Sequence, residues 1–575
     1  MVAHSWRNEI RLLRTLAAVI VGFVIGVAQA VAAAGPSLPD IRAEIEFAAA
    51  QAQRANLRAF NVQDDRIWLE RFYGNVAYAP AWSSAGKARP ASAEAIAQLQ
   101  AVPTRGLALA DYDVEWLATQ GRRLTTGEHP DQELAHFDVS LTLALLHYLA
   151  DSHLGRLRSA YTDVPFQVRT LAFDPVEQLR TALAQDRLAQ VIAAAEPGFP
   201  IYRRLKTALA QYRQLAAQPF SPLPELPKGV RKSEPGASYP GAAALRERLI
   251  LLGDLSAAAP ATLDNRYEQP LVDGVRLFQD RHGLEPDGVL GKQTLAELNM
   301  PLATRIRQIE LSMERLRWLP YFPDGPLIAV NIPSFKLWAF DAGPSSPEPA
   351  LAMRAIVGQS MRTQTPAFVG EMRYIEFNPY WNVPPSIARK EIIPKLQRDP
   401  AYLERNDMEF VGTGKNAAVS TTVDAAALAA LGAGQLRVRQ RPGATNALGT
   451  IKFGLPNSED IYLHATPAKQ LFARSRRDFS HGCIRLENPG ALAQFVLRDQ
   501  PEWSAERIEA GMAPGKTHTV RLATPIPVVI FYTTAIADHE GRALFVADVY
   551  RLDESSERAL ARRSDALAAY WGLRH

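Results

Sequence analysis

Cys483 is the single cysteine of a 575-residue chain, and it stands in Ser480-His481-Gly482-Cys483-Ile484-Arg485-Leu486. A second histidine, His464, precedes it by 19 residues in Ile461-Tyr462-Leu463-His464-Ala465-Thr466-Pro467. A thiol attacks a carbonyl only as the thiolate, so an imidazole within reach has to take its proton or pair with the ion. The partners of a nucleophile need closeness in space, not in sequence. Gly482 allows a tight turn ahead of the thiol, so that backbone amides of His481, Gly482 and Cys483 can converge on a developing oxyanion. Arg485 fits two roles, orienting an anionic carboxylate or fixing the loop by ion pairing. Taken residue by residue, the same set also fits a packed, inert cysteine with satisfied histidines. Zinc ligation by His464, His481 and Cys483 is disfavoured, because two of them lie only two positions apart and no fourth ligand stands out.

The elements that must position these residues begin near residue 325. Short runs at 327–332, 336–340, 353–357 and 372–377, separated by turn residues, predict a β-rich catalytic domain over 325–510. Strand character returns at 436–438 and at 461–463, so His464 ends a strand that can meet the Cys483 loop. Residues 387–434 read as helical and irregular between strands, which predicts an inserted lid. Trp381 and Asn382, beside Tyr380, are candidate groove residues, with packing as the alternative for aromatics between prolines. Residues 520–575 read as C-terminal strands and a charged helical tail. Ahead of the catalytic region, 38–220 is Ala- and Leu-rich with helical periodicity and predicts a helical scaffold domain. Residues 221–240 read as a Pro- and Gly-rich linker, and 241–300 as a small three-helix domain with a tight turn at Pro286-Asp287-Gly288. The fold class is multidomain α+β.

Composition narrows the setting. With 47% hydrophobic and 22% charged residues the chain is globular, and a net charge of +4 without long basic runs gives no reason to expect nucleic acid as a partner. Arg7, Arg11 and Arg14 precede an apolar run at 16–28 and small residues to 34, which predicts an export signal over 1–34, either cleaved or retained as a membrane anchor. Export leads to an oxidising compartment where cysteines pair, and a lone cysteine excludes an intramolecular disulfide. Such a thiol is kept either buried or for chemistry.

Two resemblances follow. Phe278-Gln279, Gly283-Leu284, Asp287-Gly288, Gly291, Thr294 and Leu298 match the pattern of the peptidoglycan-binding domain family, which implies attachment to wall glycan. His464 followed by Ser480-His481-Gly482-Cys483-Ile484-Arg485 resembles the catalytic signature of L,D-transpeptidases, and residues 313–320, 377–384, 442–449 and 452–457 resemble the large multidomain YcbB-type members. The resemblance implies Cys483 as nucleophile, His464 as general base, the His481-Gly482-Cys483 amides as oxyanion pocket, and Arg485, Ser480, Tyr462, Trp381 and Asn382 as substrate contacts. It further implies a thioester with the third residue of a peptidoglycan tetrapeptide stem, release of terminal D-Ala, and 3-3 crosslinks, with L,D-carboxypeptidase activity or D-amino-acid exchange as alternatives. Acylation by carbapenems, no cofactor, and work on cell-wall organisation and cell shape in the periplasm are implied as well. One position departs from the pattern: the residue after the base, often Asp, Gly or Ser, is Ala465, which leaves a degenerate wall-binding scaffold as a rival.

Overall fold

The computed structural model describes residues 38–55, 65–157, 173–260, 265–343, 346, 348–414 and 417–575. The expected export segment, 1–34, lies outside them. Among the described residues no helix is long and apolar enough to cross a membrane. The chain forms two compact units.

The first unit holds the described residues up to Leu157, Phe173–Glu196 and Arg558–His575. Its centre is the helix Asp131–Leu154, apolar on nearly every side and therefore buried on nearly every side. The fully buried Asp138 accepts hydrogen bonds from the amides of Ala81 and Trp82 (2.8 Å each) and from the hydroxyls of Tyr73 (2.8 Å) and Ser83 (2.9 Å). That explains the aromatic cluster around Tyr73 and Trp82 as packing around one buried carboxylate. The charged tail is also core: Leu567, Tyr570 and Trp571 are buried, and Arg563 donates to Asp151 at 2.7 and 2.9 Å.

The second unit, Pro197–Glu557, takes in the helix Pro200–Ala216, which the sequence assigns to the scaffold. Tyr202, Leu205, Leu209 and Tyr212 pack with Ile309, Met313 and Leu316 of the helix Leu302–Arg317. An amphipathic stripe announces that a face is buried, not against what. The small domain has the three expected helices, Ala242–Leu252, Leu271–Arg281 and Lys292–Leu298. Gln279 ties its turn, with the amide group donating to Asp287 Oδ1 (2.9 Å) and Val289 O (3.1 Å) and its oxygen accepting from Gly288 N–H (2.8 Å). The expected linker, 221–240, is folded into this domain: Leu223 and Tyr239 join its core, Asn299 bonds the backbone of Leu223 on both sides, and Lys232–Ser233 pairs with Leu290–Gly291. Pro and Gly restrict a backbone without making it mobile.

The rest of the unit is a nine-stranded sheet. Its strands are β1 (Leu327–Asn331), β2 (Lys336–Phe340), β3 (Leu351–Gly358), β4 (Phe368–Phe377), β5 (Ile451–Gly454), β6 (Leu463–His464), β7 (Asp478–Ser480), β8 (Ile484–Leu486) and β9 (His518–Phe531). They run β7-β3-β8-β6-β5-β4-β9-β1-β2, and pairing of β2 with β3 closes the ring, leaving β7 alongside the end of β3. β9 lies between β4 and β1, so the region the sequence places beyond the catalytic domain supplies one of its inner strands. A strand pattern gives no clue to its neighbours when the partner is some 200 residues away in the chain.

Between β4 and β5 stands the insert. It carries helices, as expected, but also a four-stranded sheet of Trp381–Asn382, Leu436–Gln440, Met408–Gly412 and Val419–Ser420, with its own core of Val383, Leu396, Leu403, Phe410 and Val438. It is a folded subdomain over 381–440, larger than the 387–434 read from sequence.

Candidate active site

β6 and β8 run parallel, with Leu463 opposite Ile484 and His464 opposite Arg485. Leu463 and Ile484 are fully buried in the barrel core. Successive side chains of a strand point to opposite faces, so Tyr462, His464, Cys483 and Arg485 share the other face. The Ile484 amide donates to Tyr462 O (3.1 Å), which sets Cys483 directly across from Tyr462 and diagonally from His464.

The thiol is half-buried. Its Sγ donates to Asp460 O at 3.6 Å, from a residue with φ +54°, and the Tyr462 phenol contacts it. Among the described residues no hydrogen bond joins Cys483 to His464. The imidazole is buried; its Nδ1–H donates to Ala465 O at 2.5 Å, the tautomer in which Nε2 is the acceptor, and the Leu448 backbone also meets the ring. That bond uses a backbone carbonyl, so the Ala465 side chain takes no part in it. Position 449 has no room for a side chain beside it: a Cβ on Gly449 would come within 2.7 Å of Ala465 Cβ.

The charges favour a neutral resting pair. Burial, and then the Arg485 cation, hold His464 down to about 3. Burial pushes the Cys483 thiol up, against a smaller downward pull from Tyr462, Lys452 and Arg485. Burial lowers Arg485 as well, its Nε is buried without a partner, and among the described residues no carboxylate pairs with it. Of the two roles read from sequence, loop-fixing by ion pairing is not found among the described residues. A cation free for a ligand stands beside the thiol.

The loop that carries the thiol is held from within. Ser480 Oγ accepts from Gly482 N–H (3.1 Å) and donates to Cys483 O (2.6 Å), and Thr365 Oγ1 donates to Gly482 O (2.6 Å). Gly482 adopts φ +118°, where a side chain would be strained and a Cβ would sit 3.2 Å from Ile461 Cδ1. Two expectations change here. Ser480, 1% exposed, is a loop staple and cannot touch a substrate, and the Gly482 amide is already engaged. The Cys483 amide has no acceptor among the described residues and is the free donor at the nucleophile.

His481 points away from the thiol: its Nε2 meets Glu391 Oε1 of the insert at 2.7 Å, on the π-helical turn Ala388–Ile392. Trp381 reaches the Tyr462 phenol, so the insert touches the site there too. Asn382 is exposed on the same short strand and is not brought to the thiol. The structure therefore groups Cys483, His464, Tyr462, Arg485 and Trp381, and it adds Asp460, Lys452, Thr365 and Glu391. Lys452 had a signal, since Ile451 and Phe453 on either side are core residues, and its Nζ stands 4.5 Å over the Tyr462 ring. Glu391 had none. No group of three or more metal-ligating side chains occurs among the described residues.

Residues 325–530 match the family described as "L,D-transpeptidase catalytic domain", residues 238–298 a "Putative peptidoglycan binding domain" and residues 67–209 a "Scaffold domain". A Haemophilus influenzae protein described as "Putative L,D-transpeptidase" is 31% identical over 287 residues, 49% of this chain and 56% of that protein. The match thus spans about half the length of that relative. A solved L,D-transpeptidase structure from Xylanimonas cellulosilytica shows 16% identity over 53% of this chain and all of that one, with a TM-score of 0.17. A fused Zn-dependent amidase/peptidase/peptidoglycan-binding domain-containing protein from Clostridium acetobutylicum shows 11% identity over 52% of this chain and 99% of that one, with a TM-score of 0.15. TM-scores this low say nothing about this chain. The sequence matches do: residues 325–530 are similar to the L,D-transpeptidase catalytic-domain family, in a chain that also matches a peptidoglycan-binding domain and a helical scaffold domain.

Proposed function

We propose that this chain is a cell-envelope peptidoglycan L,D-transpeptidase that forms 3-3 crosslinks through a thioester on Cys483. The observation that carries the reading is the shared face of Cys483, His464 and the unpaired Arg485 within the matched domain. Arg485 receives the terminal carboxylate of a tetrapeptide stem, a charge-assisted contact that neutralises a half-buried cation without an ion pair among the described residues. His464 Nε2 takes the Sγ proton as sulfur attacks the carbonyl of the third stem residue, and the Cys483 amide donates to the oxyanion. The C–N bond to D-Ala then breaks, the departing amine takes the proton from His464, and the acyl group remains on sulfur. An amine of a second stem attacks the thioester, the new amide forms, and the proton lost by that amine returns through His464 to the thiolate. Tyr462 and Trp381 flank the acyl group. The insert over 381–440 excludes water during the thioester's lifetime, favouring amine over water as acceptor. The small domain holds wall glycan, and residues 1–34 direct export, as a cleaved signal or as an anchor.

The test is incubation with disaccharide-tetrapeptides, read by mass spectrometry, with Cys483→Ala as control. Crosslinked dimers and free D-Ala are expected. Trimmed tripeptide alone would make the protein an L,D-carboxypeptidase, D-amino-acid-swapped stems alone an exchange enzyme. Unchanged substrate, together with no carbapenem adduct on Cys483, would make it a wall-binding scaffold.

A further inference from the structure

On the face of the barrel formed by β2, β1 and β9 lies a second cavity, of about 320 Å³. None of its lining residues belongs to the Cys483 site. Its floor is Trp338 and Phe340 of β2 with Leu327 and Ala329 across the register on β1. Its walls come from Phe199 at the start of the helix Pro200–Ala216, Phe322 after the helix Leu302–Arg317, and Leu544 of the hairpin Ala535–Ala537/Ala543–Phe545. The same cavity is also lined by polar groups, Arg204, Lys336, Ser346, Asp538 and His539.

The charges there do not cancel. Asp538 is held by Arg542 at 2.9 Å and by the amides of Glu540 and Arg542, and His539 lies 3.7 Å from Glu540. Neither Arg204 nor Lys336 has an ion pair among the described residues, and Arg204 Nε is buried without any hydrogen-bond partner; the nearest opposite charge acting on Arg204 is Asp538, which Arg542 already holds. An apolar recess cannot take a peptide or a sugar without leaving their polar groups unpaired. Two cations, Arg204 and Lys336, against one carboxylate that Arg542 already holds favour an anion beside it. The volume is about twice the ~150 Å³ cavity that admits the six carbons of benzene, room for about a dozen carbons.

We infer that this cavity is a binding site for a single-chain anionic amphiphile, a medium-chain alkyl carboxylate, with the chain on Trp338 and Phe340 and the carboxylate on Arg204 and Lys336. The site is independent of the thioester chemistry and stands or falls separately from it.

The full-length protein is titrated by calorimetry with dodecanoate, below its micelle concentration, and in parallel with decan-1-ol and decyltrimethylammonium. One saturable dodecanoate site is expected, and the alkylammonium should bind at least about tenfold more weakly. Arg204→Gln should weaken dodecanoate at least about tenfold and leave decanol unchanged, with Arg204→Lys restoring part of the loss. Ile201→Trp, at a half-buried lining position, should block both ligands, and an unchanged thermal unfolding curve checks that each variant is folded. Absence of saturable binding, as when the recess is filled by the chain's own residues or by a second copy, overturns the proposal. Equal affinity for the three head groups, or binding indifferent to both the Arg204 and the Ile201 substitutions, overturns it as well.

Discussion

At the scale of the residue, the Cys483–His464 pair rests uncharged. His464, held near 3, stays neutral across the range in which an ordinary histidine titrates, and the Cys483 thiol titrates above its usual range. The free protein should therefore react with iodoacetamide at a rate that climbs with pH beyond the ordinary thiol region, with no plateau between pH 5 and 8. A plateau centred near pH 6 would reveal a preformed thiolate–imidazolium pair. For the same reason the acid side of kcat/KM should show no loss from His464 until pH approaches 3, because its folded-state value is depressed and protonation comes late. Arg485 sets a trade between stability and binding. A half-buried cation whose Nε has no partner destabilises the fold, so Arg485→Met should raise stability by about 1 kcal/mol in chemical denaturation. The same substitution should cost tenfold or more in kcat/KM for a stem with a free terminal carboxylate and little for its amide. Equal losses on the two substrates would place Arg485 outside carboxylate binding.

At the scale of the element, the parallel pair β6–β8 supplies the register, and the insert supplies Glu391 and Trp381. The His481–Glu391 contact is part-exposed, so its loss should alter global stability by less than about 1 kcal/mol. Glu391→Ala should nevertheless shift products from crosslinked dimer toward hydrolysed tripeptide by freeing the insert from the loop that carries the thiol, and Glu391→Gln, which keeps a hydrogen bond, should lie between. The product ratio at saturating acceptor measures this. A ratio unchanged in both variants would leave the contact without a role in excluding water.

At the scale of the molecule, the chain's last residues complete a unit begun at the other end. Ending the chain at residue 557 removes Leu567, Tyr570 and Trp571 from a core and strands the buried Asp111 and Asp151, which Arg563 faces. Losing three large buried side chains and the partner of two buried carboxylates exceeds the usual 5–15 kcal/mol stability of a domain. The truncated protein should lose one calorimetric transition, that of the helical unit. Carbapenem labelling at Cys483 should persist, since the residues of that site lie within 197–557.

The sequence by itself determined which residues are candidates for the chemistry. One cysteine, a glycine before it and two histidines in one short stretch are residue types whose reactivity is local, and the Gln279 and Gly288 pattern likewise names a small domain through bonds between near neighbours. The tertiary structure decided everything that depends on register and partners. Pleat alternation put His464 diagonal to the thiol and Tyr462 directly across from it, and it turned Ser480 inward. Hydrogen bonding engaged Gly482 and left the Cys483 amide free. Long-range pairing drew 518–531 into the barrel, and burial drew 221–240 into the small domain. A chain's local periodicity records that a face is covered. Only the folded backbone, by closing strands hundreds of residues apart, specifies what covers it.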